Sequence, residues 1–268
     1  MNVSAITSCY LGPQISPEQF VSEHFFLYLI KGTIDYYDGS NHHHLQPGEC
    51  CLVRKNHLVK YTKRKADNQF EKVVVVFDEV FLKAYQAKHP LSFTNYNGHD
   101  AYFLIQQNEL IPNFLQSLNP YYTNEGKINP MFADLKREEL LLILLQSNPE
   151  LATILFDFSS PQKIDLEAYM NRNFRFNVSV ERFAYLTGRS LSAFKRDFDK
   201  IFHETPSRWL VHKRLQEAYF LIEKQAQKPS DIYLDLGFED LSHFSFAFKK
   251  RFGVAPTQLA ERRQLASP

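Results

Sequence analysis

Two stretches of the 268-residue chain, SLSAFKRDFDKIFHETPS at 190–207 and DLSHFSFAFKKRFGVAPT at 240–257, are written to one pattern fifty positions apart. They share Leu191/Leu241, Ser192/Ser242, Phe194/Phe244, Phe198/Phe248, Lys200/Lys250, Phe202/Phe252 and Pro206/Pro256. Two copies after a long unrelated sequence indicate a duplicated small module, because a solenoid needs at least roughly three repeats. In each copy the Leu and the three Phe fall at i, i+3, i+7 and i+11, the spacing of an amphipathic helix with one buried stripe. Ser190 and Asp240 stand where an N-cap belongs.

Upstream of each lies a second short helical segment closed by glycine: Val180 to Leu186 before Gly188, and Ser230 to Leu236 before Gly237. Helix, tight glycine turn, helix is the helix-turn-helix layout, in which the second helix enters a DNA major groove. One such copy would equally suit a hairpin that only packs a core. Two in tandem, each with a capped and partly basic second helix, favour DNA. The buried stripe of the first copy leaves Ser192, Ala193, Lys195, Arg196, Asp199 and Lys200 outward.

Residues 162–268 resemble the AraC/XylS-type DNA-binding domain, whose signature is legible in GFEDLSHFSFAFKKRFGVAP at 237–256. The resemblance implies seven helices: two helix-turn-helix units joined by a linker helix from Pro206 to about Lys224, with both recognition helices on one face of double-stranded DNA. The geometry agrees, since ~18 helical residues span about 27 Å and successive major grooves on one face lie about 34 Å apart. By similarity to the family motif, Ser192, Lys195 and Arg196 face bases, and Arg196 can hold guanine O6 and N7 bidentately. The second copy offers Leu241, Ser242, His243 and Ser245, with Phe246 in the place of Arg196 and Tyr233 in the place of Ala184. Lys200, Lys249, Lys250 and Arg251 are expected on phosphates, contacts that position without reading sequence.

The whole chain is nearly neutral at +1, but from residue 162 onward it holds 18 Lys+Arg against 13 Asp+Glu, leaving 13 against 17 before it. That asymmetry fits a DNA-binding half joined to a half with another task. The N-terminus lacks a basic segment followed by an apolar run, and the longest apolar stretch, Leu140 to Leu145, is far short of the ~20 residues of a membrane span. Three cysteines, Cys9, Cys50 and Cys51, make no secreted disulfide framework, so a cytoplasmic location is expected. On a strand Cys50 and Cys51 point to opposite faces.

The N-terminal part reads as strands at His24–Ile30, Thr33–Asp38, His42–Leu45, Glu49–Arg54, His57–Thr62 and Phe70–Phe77, separated by turns at Lys31-Gly32, Asp38-Gly39-Ser40 and Pro47-Gly48. Short strands at this spacing predict a small antiparallel barrel or jelly roll. The stretch is similar to the cupin-like sensor domain of the AraC family, with Pro47-Gly48-Glu49 and His57 where that pattern has them. Tyr28, Tyr36 and Tyr37 are candidates to line a pocket for a small-molecule effector. His42, His44 and Glu49 have the look of a metal set, but the tract follows a hairpin turn where polar residues are solvated, and no metal or other cofactor is expected. Nothing assembles a nucleophile, a base and an oxyanion hole, so the chain does not read as an enzyme.

Helices follow at Glu79–Lys88, Leu110–Leu118 and Phe132–Gln146. Within the last, Leu140 to Leu145 is apolar nearly all round, so the helix must be covered on more than one side, by the barrel or across a homodimer. With LKREELLLILLQ at 135–146, the arrangement also resembles AraC-family activators of type III secretion genes. That likeness implies self-association and a regulatory protein partner for the N-terminal half. The expectation is therefore an α+β chain of two domains: a cupin-like sensing and dimerisation domain over 1–147 and an all-α DNA-binding domain over 162–268, with 148–161 as linker. It would be a sequence-specific transcription regulator, an activator working with RNA polymerase under a small-molecule or protein signal. The alternative is a metal-dependent cupin enzyme or repair protein fused to a DNA-binding domain.

Overall fold

The computed structural model describes residues 6–9, 19–89, 98, 100–106, 108–123 and 125–266. The chain forms two compact units that divide between Ser159 and Ser160. Among the described residues no helix is long and apolar enough to cross a membrane.

The first unit contains ten strands among its described residues, β1 Ile6–Cys9, β2 Phe20–Val21, β3 His24–Lys31, β4 Thr33–Tyr37, β5 His42–Leu45, β6 Cys50–Val53, β7 His57–Leu58, β8 Lys60–Arg64, β9 Glu71–Phe77 and β10 Tyr102–Ile105. They make three antiparallel sheets, ordered β1-β9-β3-β6-β10, β2-β7 and β5-β4-β8. The expected closed barrel is thus corrected: no described strand of the three-stranded sheet pairs with β1 or β10, the edges of the large one. The chain changes sheets at Gly32, whose φ of +86° and contact with the Arg64 carbonyl and the Phe70 ring leave no room for a Cβ. The small sheet therefore stacks on the large one face to face. Alternation along β3 and β6 shows the layers, with Phe26, Cys50 and Leu52 in one core and Leu27, Leu29, Cys51 and Val53 in another.

The second of these cores lies under the small sheet, with Ile34, Tyr36 and Leu45. The first is covered by helices α1 Glu79–Lys88, α2 Leu110–Ser117, α3 Pro130–Ser147 and α4 Leu151–Leu155. Asp78 caps α1 by accepting from Phe81 N at 2.9 Å, and the same carboxylate accepts from buried Arg137 of α3 at 2.9 Å. The Arg137 guanidinium lies 3.9 Å from the Phe81 ring centroid, so burial of this cation is offset by an anion and an aromatic face. Much of the expected linker is part of this unit, because Leu151, Ile154, Leu155 and Phe156 are buried in the helix-covered core.

The second unit has seven helices among its described residues: α5 Leu166–Asn173, α6 Val180–Leu186, α7 Leu191–Phe202, α8 Pro206–Gln225, α9 Pro229–Ile232, α10 Leu241–Phe252 and α11 Pro256–Ala266. Long α8 packs on α7 through Trp209, whose ring centroid is 4.6 Å from Phe202, and on α10 through Tyr219, 4.9 Å from Phe252. From its middle Arg214 reaches into the interior. Its guanidinium donates to the carbonyls of Phe174 at 2.7 Å, Phe176 at 2.7 Å and Gly237 at 3.0 Å. Burial pushes its pKa down to about 10, so it remains charged at neutral pH.

Lysine cannot reproduce Arg214's fork, and each buried carbonyl left unpaired costs about 1–3 kcal/mol. Arg214→Lys is therefore expected to destabilise the second unit by about 2–4 kcal/mol in urea unfolding followed by Trp209 fluorescence. A second buried base gives a pH test. His24 of β3 is 1% exposed, accepts from Lys55 N at 3.3 Å and has no partner at Nε2 among the described residues. Burial, then the charges of Lys55 and Arg54, push its pKa down to about 3 from an ordinary 6.5. The unfolded chain takes up a proton below that ordinary value and the folded chain does not, so stability falls as pH drops from 6.5 toward 3. In His24→Gln, denaturation at pH 6 and pH 5 should show that fall shallower by up to about 1.4 kcal/mol per pH unit.

Candidate nucleic-acid interface

The repeat seen in the letters is a repeat in the backbone. Ser179 caps α6 by accepting from Arg182 N at 3.2 Å. The turn after it is held by Arg189 N, which donates to the Ala184 carbonyl at 3.0 Å, and by the Thr187 hydroxyl, which donates to the carbonyls of Phe183 and Ala184. Gly188 has φ +65° and abuts the Gln162 and Lys163 backbone. In the second copy Phe238 N donates to the Tyr233 carbonyl at 3.0 Å, and Gly237 has φ +85°. A Cβ there would lie 2.7 Å from the Arg175 carbonyl and 2.9 Å from Arg214 Cζ. Ser190 and Asp240 cap the second helices, accepting from Ala193 N at 3.3 Å and His243 N at 2.6 Å. Both helices end on a left-handed residue, His203 (φ 53°) and Gly253 (φ 74°), that donates to the carbonyl four positions back.

The outward faces differ. On α7, Phe194 and Phe198 are buried while Ser192, Lys195, Arg196, Asp199 and Lys200 are exposed. Asp197 is engaged by Arg189 at 3.2 Å, which holds its carboxyl below the ordinary range, and Arg196 Nε lies 3.6 Å from its other oxygen. The Arg196 side chain remains 66% exposed. Lys195 borders an open groove of ≈ 630 Å³ with Glu181, Asp199 and the Thr205–Ser207 start of α8. On α10, Leu241, Ser242, Phe246, Lys249, Lys250 and Arg251 are exposed and Ser245 is half-buried. No acidic residue interrupts Leu241–Phe252. Apart from half-buried Ser245, all the expected base-facing and phosphate-facing residues thus reach solvent on two equivalent helices. Phe246, which the repeat sets in the place of Arg196, is exposed on the same surface.

The tyrosines expected to line an effector pocket are not brought together. Tyr28 packs against the helix-covered core and Tyr36 lies in the core between the sheets. Tyr37 points the other way, donates to the Gly39 carbonyl at 2.7 Å and stacks on His42 at 4.7 Å. Tyr36 instead gathers Tyr102 at 4.5 Å and Tyr61 at 5.7 Å, and His43 stacks on both Tyr36 and Tyr102. The Tyr102 hydroxyl hydrogen-bonds Cys51. Burial raises both thiols, Cys50 to about 12 and Cys51 further, so neither is thiolate at neutral pH. His44 pairs with Asp35 at 2.7 Å, and Glu49 accepts from Gln46 N across the Pro47-Gly48 turn. Among the described residues no three His, Cys, Asp or Glu side chains converge as metal ligands.

Comparisons with known proteins match both units. Residues 24–154 match the family model described as the ExsA N-terminal regulatory domain, and residues 183–262 match that of a helix-turn-helix domain. The HTH-type transcriptional regulator ExsA of Pseudomonas aeruginosa is 24% identical over 259 residues, 94% of this chain and 91% of that protein. The virulence regulon transcriptional activator VirF of Yersinia enterocolitica is 27% identical over 130 residues, 48% of each. Among solved structures, an apo form of ToxT from Vibrio cholerae aligns over 95% of this chain and 96% of its own with a TM-score of 0.46 and 12% identity. The chain belongs to the AraC family of helix-turn-helix transcription regulators, binding DNA through its second unit behind an ExsA-type regulatory domain, and is not an enzyme.

Proposed function

We propose that the protein is an activator that reads DNA through α7, grips it through α10 and is governed by its first unit. The observation that carries this reading is the outward position of Arg196 in the second turn of α7, 66% exposed while its neighbour Asp197 is occupied by Arg189. A guanidinium there is placed to hold guanine O6 and N7. Ser192 and Lys195 flank it as base-facing groups, and Leu241, Ser242 and Ser245 take that role on α10. Lys200, Lys249, Lys250 and Arg251 contact phosphates, fixing the register.

The first unit receives the signal, a small molecule or a protein, and self-associates along α3. Met131, Leu135 and Leu142 of this helix are 82%, 65% and 50% exposed, and fall on one face at i, i+4 and i+11. An activator dimerised there would present two DNA-binding halves to one cytoplasmic promoter and its RNA polymerase. The connector between the halves narrows to a few residues around Ser160, since residues up to Phe158 pack with the first unit.

In gel shifts on duplexes selected from a random library, Arg196→Ala should weaken binding by about 1–3 kcal/mol and relax preference at one base pair. Unchanged affinity and preference would remove α7 as the reader. Replacing Leu135 and Leu142 together by Glu places charges on the proposed seam. Sedimentation should then shift from dimer to monomer, and an unchanged profile would take α3 out of the interface.

A further inference from the structure

Phe246 occupies on α10 the place that Arg196 occupies on α7, and it is 68% exposed although Phe244 and Phe248 fill the buried side of the same helix. A single exposed apolar residue is common and needs no explanation by itself. Its surroundings are what distinguish this one. Ser242 at i−4, Lys249 at i+3 and Lys250 at i+4 share its face; all three are exposed, and Arg251 follows. The α7 face sets exposed Asp199 among its cations, whereas α10 has no acid. An apolar ring framed by cations without acids is complementary to a surface with anionic rims and an apolar group on its floor. The major groove is such a surface, with phosphates at the edges and the thymine C5-methyl among the base edges.

Resting on the reading that α10 lies against DNA, we infer that Phe246 is a specificity-determining residue of the second helix-turn-helix, selecting thymine by apolar contact with its C5-methyl. The two copies then read different chemistry with one backbone: a hydrogen-bonding guanidinium at 196 and a methyl-seeking ring at 246. Lys249, Lys250 and Arg251 supply the phosphate grip that brings the ring to the groove floor.

The test is selection from a random duplex library by full-length wild type, Phe246→Ala and Phe246→Leu, with thermal unfolding followed by Trp209 fluorescence to verify that all three fold. Thymine should be enriched at a position of the second copy's half-site with wild type and F246L. The enrichment should vanish with F246A, while the bases dependent on Arg196 stay enriched. Deoxyuridine at that thymine removes only the methyl, and should weaken wild-type binding about three- to five-fold, what burial of one methyl is worth, with no effect on F246A. Thymine enrichment undiminished in F246A, or equal wild-type affinity for the thymine and deoxyuridine duplexes, overturns the inference while leaving DNA reading intact. Enrichment of no sequence at all by wild type removes the DNA-reading assignment, and this inference with it.

Discussion

A buried cation cradled by main-chain carbonyls holds the DNA-binding half together. Arg214 projects from the middle of α8 and commits its fork to three of them, two in the segment after α5 and one at the turn between α9 and α10. Its desolvation is offset by carbonyl dipoles rather than by a carboxylate, which works because a rigid planar fork meets three acceptors at once. The arrangement explains why residue 237 must be glycine on two counts, its positive φ and the approach of Arg214 Cζ to within 2.9 Å of where a Cβ would stand. The second copy's turn, the linker helix and the segment leading into α6 are thereby one object. Arg137 in the regulatory half is the opposite solution, a buried guanidinium neutralised by Asp78 and laid over Phe81.

That contrast bears on what could be read from letters. The repeat was fully legible, because its shared residues are those that folding dictates locally: a period-matched apolar stripe, an N-cap and a glycine that accepts positive φ. Most strands were legible too, five of the six expected segments lying within two residues of where they form, because alternation and turn residues are local, whereas β1, β2 and β10 had no expected segment. Which strand pairs with which is not local. The segment expected at 57–62 breaks at Val59, fully buried and bonded to the Gln19 carbonyl, so that β7 and β8 join different sheets. Strand spacing alone left a closed barrel and a jelly roll both open, and could not show that one face of the large sheet is needed by four helices. Asn148-Pro149 and the serines near 160 likewise suggested a linker across a stretch whose Leu151, Ala152, Ile154, Leu155 and Phe156 are buried in a core.

The tyrosines carry the same lesson. Tyr28, Tyr36 and Tyr37 are near in sequence, but Tyr36 and Tyr37 alternate faces, and Tyr28 lies on the other face of the large sheet. Tyr61 and Tyr102, which do meet Tyr36, come from a strand of the small sheet and the far edge of the large one. Periodicity shows which residues turn inward, while companionship is set by topology.

Duplication followed by divergence is visible in what the two helix-turn-helix copies keep. His203 and Gly253 hold the same left-handed C-cap, though the conformation costs an ordinary residue about 1–2 kcal/mol and glycine much less. The exposed histidine thus bears a strain that its counterpart lacks, and the cap persists because the rest of the turn, with Pro206 opening α8 as Pro256 opens α11, fixes it. The backbone therefore does not depend on the residues that differ. Arg196 and Phe246, and exposed Asp199 of α7, which has no acidic counterpart on α10, sit where the fold makes no demand. Selection on DNA can rewrite those positions without touching the stripe, the caps or the carbonyl cradle of Arg214.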